Sequence, residues 1–222
     1  MGPVRITHLG HSCLFVELAD RRILIDPGAF SAGFEGLTDL DAILVTHQHA
    51  DHLDRGRLPA LVAANPAAQL HTDPQTAALL AADGLRADVL AAGDDFAVGE
   101  VTVSPRGELH AFNHQWMPTV TNVGVLLRAD GEPTLFHPGD AYDVEPEDLD
   151  VLAVPVNAPW CAVRDTIDFV RRVAPRAIVP IHDGLVSPAG RGLYLTHVVT
   201  NGSPDGALTL HDLAGAGAVT IG

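Results

Sequence analysis

The run His47-Gln48-His49-Ala50-Asp51-His52 constrains this chain more than any other stretch, because it packs three imidazoles and a carboxylate into six residues directly after the apolar segment 42–45. At an extended strand end, residues two apart project to the same side, so His47 and His49 can converge on one ion. Asp51 and His52 follow on a turn, and as adjacent residues they diverge. They are therefore placed to face a second ion rather than to complete the first site. The competing reading is a solvated polar loop, which the strand-to-loop context and the scarcity of histidine in ordinary sequence outweigh.

Short β-rich runs bounded by turn residues occupy 4–7, 13–18, 22–25 and 42–45, with Asp20 and Asp26-Pro27-Gly28 as punctuation, and they predict an N-terminal sheet. Residues 73–82 begin with an Asp cap and a Pro at the first helical position and end at Gly84, so they predict a helix between two strand groups. The second group comprises 101–104, 124–128, 134–136 and 151–154, followed by a helix over about 165–173 and a strand at 178–181. Two halves, each running from strands into helices, predict sheet packed on sheet with helices outside. No pattern is legible from Gly202 onwards.

No linker, low-complexity tract or charge block divides the chain, so residues 1–222 are expected to form one domain, and 47% hydrophobic content is ample for its core. No apolar run approaches the roughly 18 residues of a membrane span, and the start lacks an apolar leader, which predicts a soluble, cytoplasmic protein with no membrane partner. Cys13 and Cys161 then read as reduced thiols. The formal charge is −15 and all thirteen basic side chains are arginine, so there is neither a basic track for long nucleic acid nor a Schiff-base lysine. A small-molecule substrate is the expected partner. Oligomeric state stays open, a homo-oligomer among the alternatives.

More potential ligands recur where predicted strands stop: His110 after 101–104, Asp140 after 134–136 and His182 after 178–181. They supply the donors that a dinuclear hydrolytic site would still need. With His47, His49, Asp51 and His52 as an HxHxDH signature, Leu24-Ile25-Asp26-Pro27-Gly28, Pro138-Gly139-Asp140 and Pro180-Ile181-His182, the chain resembles the metallo-β-lactamase superfamily over most of its length. Gly10-His11-Ser12 and the compact length resemble its branch of small cytosolic hydrolases that includes ascorbate-6-phosphate lactonase-like proteins.

The resemblance implies an αββα four-layer sandwich of two mixed sheets. It places His47, His49 and His110 on one metal, Asp51, His52 and His182 on the other, and Asp140 between them. His114 competes with His110; otherwise it is a candidate for substrate contact or transition-state hydrogen bonding, or an ordinary loop histidine. Asp26 is read as support for the ligand shell or as a turn former. His11 is read as facing the metal-bearing edge, His8, His71, His197 and His211 as surface or packing residues, and His137 as a strand end. Trp160 is read as a pocket wall or a buried loop aromatic, and Asp183 as orienting His182 or meeting substrate.

The expected chemistry is hydrolysis of a small ester, lactone or related acyl substrate by a metal-bridging hydroxide that Asp51 helps to orient. The alternatives are a dinuclear phosphodiesterase acting on a small phosphorylated metabolite and a non-catalytic metal-binding protein. Zinc is the first choice of ion, with manganese or iron also compatible with histidine and carboxylate donors.

Overall fold

Strands that are buried at every position need cover on both faces, and 42–45 and 151–155 are two of them. The computed structural model, which describes residues 2–222, supplies that cover with two mixed sheets packed between helices. In chain order the elements are β1 (Val4–His8), β2 (Leu14–Leu18), β3 (Arg21–Ile25), β4 (Ala42–Val45), α1 (Leu58–Ala64), β5 (Gln69–Thr72), α2 (Pro74–Ala82), β6 (Asp88–Val89) and β7 (Phe96–Val98). There follow β8 (Val101–Arg106), β9 (Gly124–Arg128), β10 (Leu135–His137), β11 (Val151–Pro155), α3 (Val163–Val173), β12 (Ala177–Ile181), α4 (Pro188–Asn201), β13 (Thr209–Leu210) and β14 (Ala218–Ile221). The first sheet has the order β14-β1-β2-β3-β4-β5-β6 and the second β13-β12-β11-β10-β9-β8-β7.

Strand alternation divides the apolar residues into three layers. Ile23 and Ile25 of β3 and Ala42 and Leu44 of β4 meet Val151 and Ala153 of β11 and Val179 and Ile181 of β12 between the sheets. The intervening Leu24, Ile43 and Val45 face outward with Leu58 and Leu61 of α1 and Leu80 of α2. Leu152, Val154 and Ile178 likewise face Phe169, Val170 and Val173 of α3 and Leu195 and Val198 of α4. This is the αββα sandwich, and among the described residues no helix is long and apolar enough to cross a membrane.

Two features depart from the sequence reading. The first sheet is not wholly N-terminal, because β14 pairs antiparallel with β1 (Val4 with Ile221, Ile6 with Val219). Nor does α2 separate the two sheets: it is capped by the Asp73 carboxylate on the N–H groups of Gln75 and Thr76, as expected, but it connects β5 to β6 within the first sheet. The parallel strands β3 and β4 in one sheet, and β10, β11 and β12 in the other, deliver Asp26, His47, Asp140 and His182 at or just beyond their C-terminal ends.

Candidate metal centre

Asp26 leaves β3 with φ of 50° and is fully buried, and its carboxylate organises two histidines at once. Oδ2 accepts a 2.6 Å contact from His52 Nδ1, and Oδ1 accepts the backbone N–H of Thr46 at 2.8 Å. The Thr46 hydroxyl donates to Asp26 Oδ2 at 2.7 Å, so its oxygen receives His47 Nδ1–H at 3.1 Å. Both imidazoles thus carry a proton on Nδ1 and turn Nε2 inward, the arrangement by which carboxylates orient metal-binding histidines. Gly28 permits this closeness. A Cβ there would lie 1.8 Å from the Asp51 carbonyl oxygen, and the two turns are joined by Ala29 N–H to Ala50 O at 2.7 Å.

The second sheet supplies its groups one at a time. His182 (φ 58°) donates Nδ1–H to Asn157 O at 2.6 Å, and His110 donates Nδ1–H to Ala111 O at 2.7 Å, so again Nε2 points inward. Asp140 is placed by its backbone N–H on Asn122 Oδ1 at 2.9 Å. Gly139, with φ of 62°, leaves room for that amide, which a Cβ would approach to 2.2 Å. His11 is held differently. Its Nδ1 accepts Gly184 N–H at 3.1 Å, which puts the proton on Nε2, and Nε2–H donates to Asp51 Oδ2 at 3.1 Å.

Three groups of side chains result, each with its donor atoms within 4.8 Å of one another: His47, His49 and His110; His11, Asp51, His52 and His182; and His47, His52 and Asp140. Asp140 Oδ1 is 3.0 Å from His52 Nε2, while Oδ2 is 3.1 Å from His182 Nε2 and 3.4 Å from His110 Nε2. Three atoms in this centre, His110 Nε2, His182 Nε2 and Asp140 Oδ1, are buried without a hydrogen-bond partner. Orphaned polar atoms cost about 1–3 kcal/mol each. Their convergence with fixed imidazole lone pairs suits divalent metal ions, so the residues present fit the group that the chemistry requires.

Burial and the carboxylates divide the charge of the metal-free histidines. Burial pushes His47 well below its usual pKa, with the charge of His52 adding to the effect, and burial also lowers His49 and His11. His52 goes the other way: burial opposes its charge, but the carboxylates of Asp140 and Asp26 win and raise it well above normal. His182 is similarly raised to about 9 by Asp140 and Asp51 against burial. Those two carboxyls are in turn held below their usual range, against the penalty of burial, by the surrounding histidines. In the metal-free protein, protons on His52 and His182 would supply positive charge among the carboxylates, and a divalent ion would have to displace them to use the Nε2 lone pairs.

His114 lies outside all three groups. It is exposed, its ring packs edge-on to Trp116 at 5.1 Å, and it lines a cavity of about 380 Å³ together with His49, His110, Leu109, Phe112 and Met117. A larger cleft of about 710 Å³, lined by Asp95, Glu100, Ser104 and Arg128, shares no residue with the histidine groups. Asp183 touches neither His182 nor the cavity through its carboxylate, which accepts Arg191 Nε–H at 2.7 Å. His137 is the last residue of β10 and donates to Ser12 O at 2.9 Å. His8 reaches the His11 carbonyl at 3.0 Å, and His71 stacks on Phe96. The sequence reading missed Thr46 and Asn122, which act through neighbours and carry no ligand chemistry of their own.

The chain matches the Beta-lactamase superfamily domain over residues 5–182. It is 46% identical over 201 residues to Protein Rv0786c of Mycobacterium tuberculosis, spanning 89% of this chain and 93% of that one. It is 30% identical over 210 residues to a UPF0173 metal-dependent hydrolase of Methylobacterium nodulans, spanning 82% of this chain and 85% of the relative. Among solved structures, Igni18, a metallo hydrolase from Ignicoccus hospitalis, shares the fold with a TM-score of 0.70 over 99% of both chains at 18% identity.

Proposed function

Because this chain belongs to the metallo-β-lactamase superfamily, we propose that it is a metal-dependent hydrolase whose centre takes two divalent ions and whose substrate is a small ester, lactone or related acyl compound. The observation that carries this reading is the set of inward-facing, unpartnered nitrogens around Asp140. His47, His49 and His110 would hold one ion, Asp51, His52 and His182 the other, and Asp140 would lie between them. Zinc suits these donors best, and manganese and iron accept them too. Bound ions would lower the pKa of water from about 15.7 towards about 7 and polarise a substrate carbonyl.

The chain's own groups then have distinct tasks. Asp26 keeps His47 and His52 in one tautomer, directly and through Thr46. His11 donates to Asp51, fixing the carboxylate that would orient the attacking water. His114, at the cavity wall, would contact the substrate or hydrogen-bond to the transition state.

The cavity favours acyl over phosphodiester substrates. No Asp, Glu or Arg stands between Glu108 and Arg128, and within that stretch Leu109, Phe112, Trp116 and Met117 are exposed. Such a wall suits an uncharged apolar group.

The test combines metal analysis by mass spectrometry with turnover of lactones, aryl esters and bis-para-nitrophenyl phosphate. We expect two ions per chain after reconstitution and ester or lactone hydrolysis ahead of the phosphodiester. His49→Ala should lose more than the 10–100-fold typical of outer-shell changes. Turnover that survives exhaustive chelation, or a reconstituted chain that binds no metal, would sink the reading.

A further inference from the structure

Trp160 stands in the segment between β11 and α3 that is closed by the Ala158–Cys161 bridge. Its indole Nε1–H donates to Asp140 Oδ2 at 2.9 Å. The ring is itself wedged. It meets Tyr142 edge-on at 4.8 Å, and Tyr142 in turn stacks on Phe169 of α3 at 4.6 Å while its hydroxyl engages Pro155 O and Thr166 Oγ1. The indole also lies nearly perpendicular to the His110 ring, with the centroids 6.1 Å apart. A continuous packed path therefore runs from the core beneath the second sheet to one oxygen of the central carboxylate.

An aspartate carboxyl turns over a broad, two-fold torsion, so burial alone does not set its plane. Here the backbone of Asp140 is fixed by Asn122, but the carboxyl group needs a separate constraint to present Oδ1 to His52 and Oδ2 to His110 and His182. The indole provides it. A carboxylate oxygen has two lone pairs, so Oδ2 can accept the N–H and still offer the other, and an N–H to a charged oxygen is a strong, directional contact. Trp160 has no acceptor capacity of its own and cannot compete for a cation.

We propose that Trp160 is a positioning residue for the metal centre: its indole N–H locks the Asp140 carboxylate in the plane that serves both histidine sets, and thereby sets the affinity for metal. The proposal rests on the dinuclear reading of the preceding subsection and differs from the use of an aromatic side chain as a substrate wall.

Trp160→Phe keeps most of the ring and removes the donor. Titration with Zn²⁺ against a chromophoric chelator should show at least one ion bound 10–100-fold more weakly. Cobalt(II) substitution should show altered d–d absorption, while the unfolding temperature of the metal-free variant stays within a few degrees of wild type. The unmodified protein offers a second readout. It has two tryptophans, so ¹H–¹⁵N spectra contain two indole resonances, assigned with Trp116→Phe. The Trp160 indole proton should exchange slowly and shift on Zn²⁺ addition, whereas that of the exposed Trp116 should exchange fast. A wild type that binds metal while Trp160→Phe binds it equally well, or an indole resonance indifferent to metal, overturns this proposal alone. A wild type that takes up no Zn²⁺ overturns it together with the metal-centre reading.

Discussion

The two walls of the candidate site are built on opposite principles. On the strand-end wall four imidazoles are each fixed by a named partner, His52 by Asp26, His47 by Thr46, His182 by Asn157 and His11 by Gly184, and His49 leans on His47. The facing wall, residues 109–121, is fastened at its base, where His110 N–H meets Val120 O and Thr121 binds Asp73 and Gln75 next to the start of α2. Towards its tip it exposes Phe112, Trp116 and Met117. The first wall spends conformational freedom on geometry, with positive φ at His11, Asp26 and His182, each costing about 1–3 kcal/mol. The second keeps apolar surface in water. Reaction chemistry needs the first kind of construction, and a choice among substrates is served by the second.

The largest effect should come from removing the hub of the rigid wall. Asp26→Ala takes from the buried His52 one of its two carboxylate partners, leaving only Asp140, and frees the Thr46 hydroxyl that orients His47. Breaking a buried ion pair on one side costs about 3–5 kcal/mol, and outer-shell loss weakens metal binding about 10–100-fold. Urea unfolding of the metal-free variant and Zn²⁺ competition measure the two effects. A stability change below about 1 kcal/mol would show that the wall does not depend on this residue and would erase the contrast with the loop.

The same wall was also the part most legible in sequence, for a physical reason. Ligand chemistry is confined to few residue types, so His47, His49, Asp51 and His52 announce themselves, and strands buried on both faces read as continuous apolar runs, as 42–45 and 151–154 do. Groups that act through geometry left no such mark. The carbonyls of Asn157 and Ala111 that set the tautomers of His182 and His110 belong to no special residue type. Asn122 reaches Asp140 from a distant loop. Trp160 is readable as an aromatic, but the direction of its N–H is not. Strand β14 has only Ile221 buried and sits beside glycines, and α4 carries Gly190 and Gly192 with β-branched Thr196, Val198, Val199 and Thr200, so neither shows a strong local pattern.

A smaller effect concerns pH. His182, almost fully buried, has its pKa raised from 6.5 to about 9 by Asp140 and Asp51 against the penalty of burial. A group raised on folding stabilises fully below its unfolded pKa, so this contribution is present below about 6.5 and is lost as pH rises to about 9. It should amount to about 3 kcal/mol in the metal-free protein. Coordination requires neutral imidazole, so Zn²⁺ binding near pH 7 should release protons, seen as a buffer-dependent enthalpy in calorimetry. His182→Gln should flatten the pH dependence of stability between 6.5 and 9, whereas loop substitutions should leave it unchanged. Equal pH dependence in wild type and His182→Gln would assign the titration to other groups.

The smallest effect on the fold should come from the loop, and it is the sharpest test of the comparison. Trp116 is 85% exposed and Met117 54%, so Trp116→Ala and Met117→Ala remove little buried area and should change stability by no more than about 0.5 kcal/mol. Their effect on catalysis should depend on the substrate. An apolar acyl group that seats against Phe112, Trp116 and Met117 would bury their surface only in the complex, and each side chain lost should then lower kcat/KM about 10-fold, equivalent to about 1.4 kcal/mol, for esters with long acyl chains. Acetyl esters, too short to reach the loop tip, should be hydrolysed at nearly the wild-type rate, and Zn²⁺ affinity should not move. The measurement is kcat/KM across an ester series from acetyl to octanoyl for wild type and both variants. An equal fall for all chain lengths would mean that the loop shapes the metal centre itself, since it carries His110. In that case the two walls act as one structure, and selection among substrates must reside elsewhere.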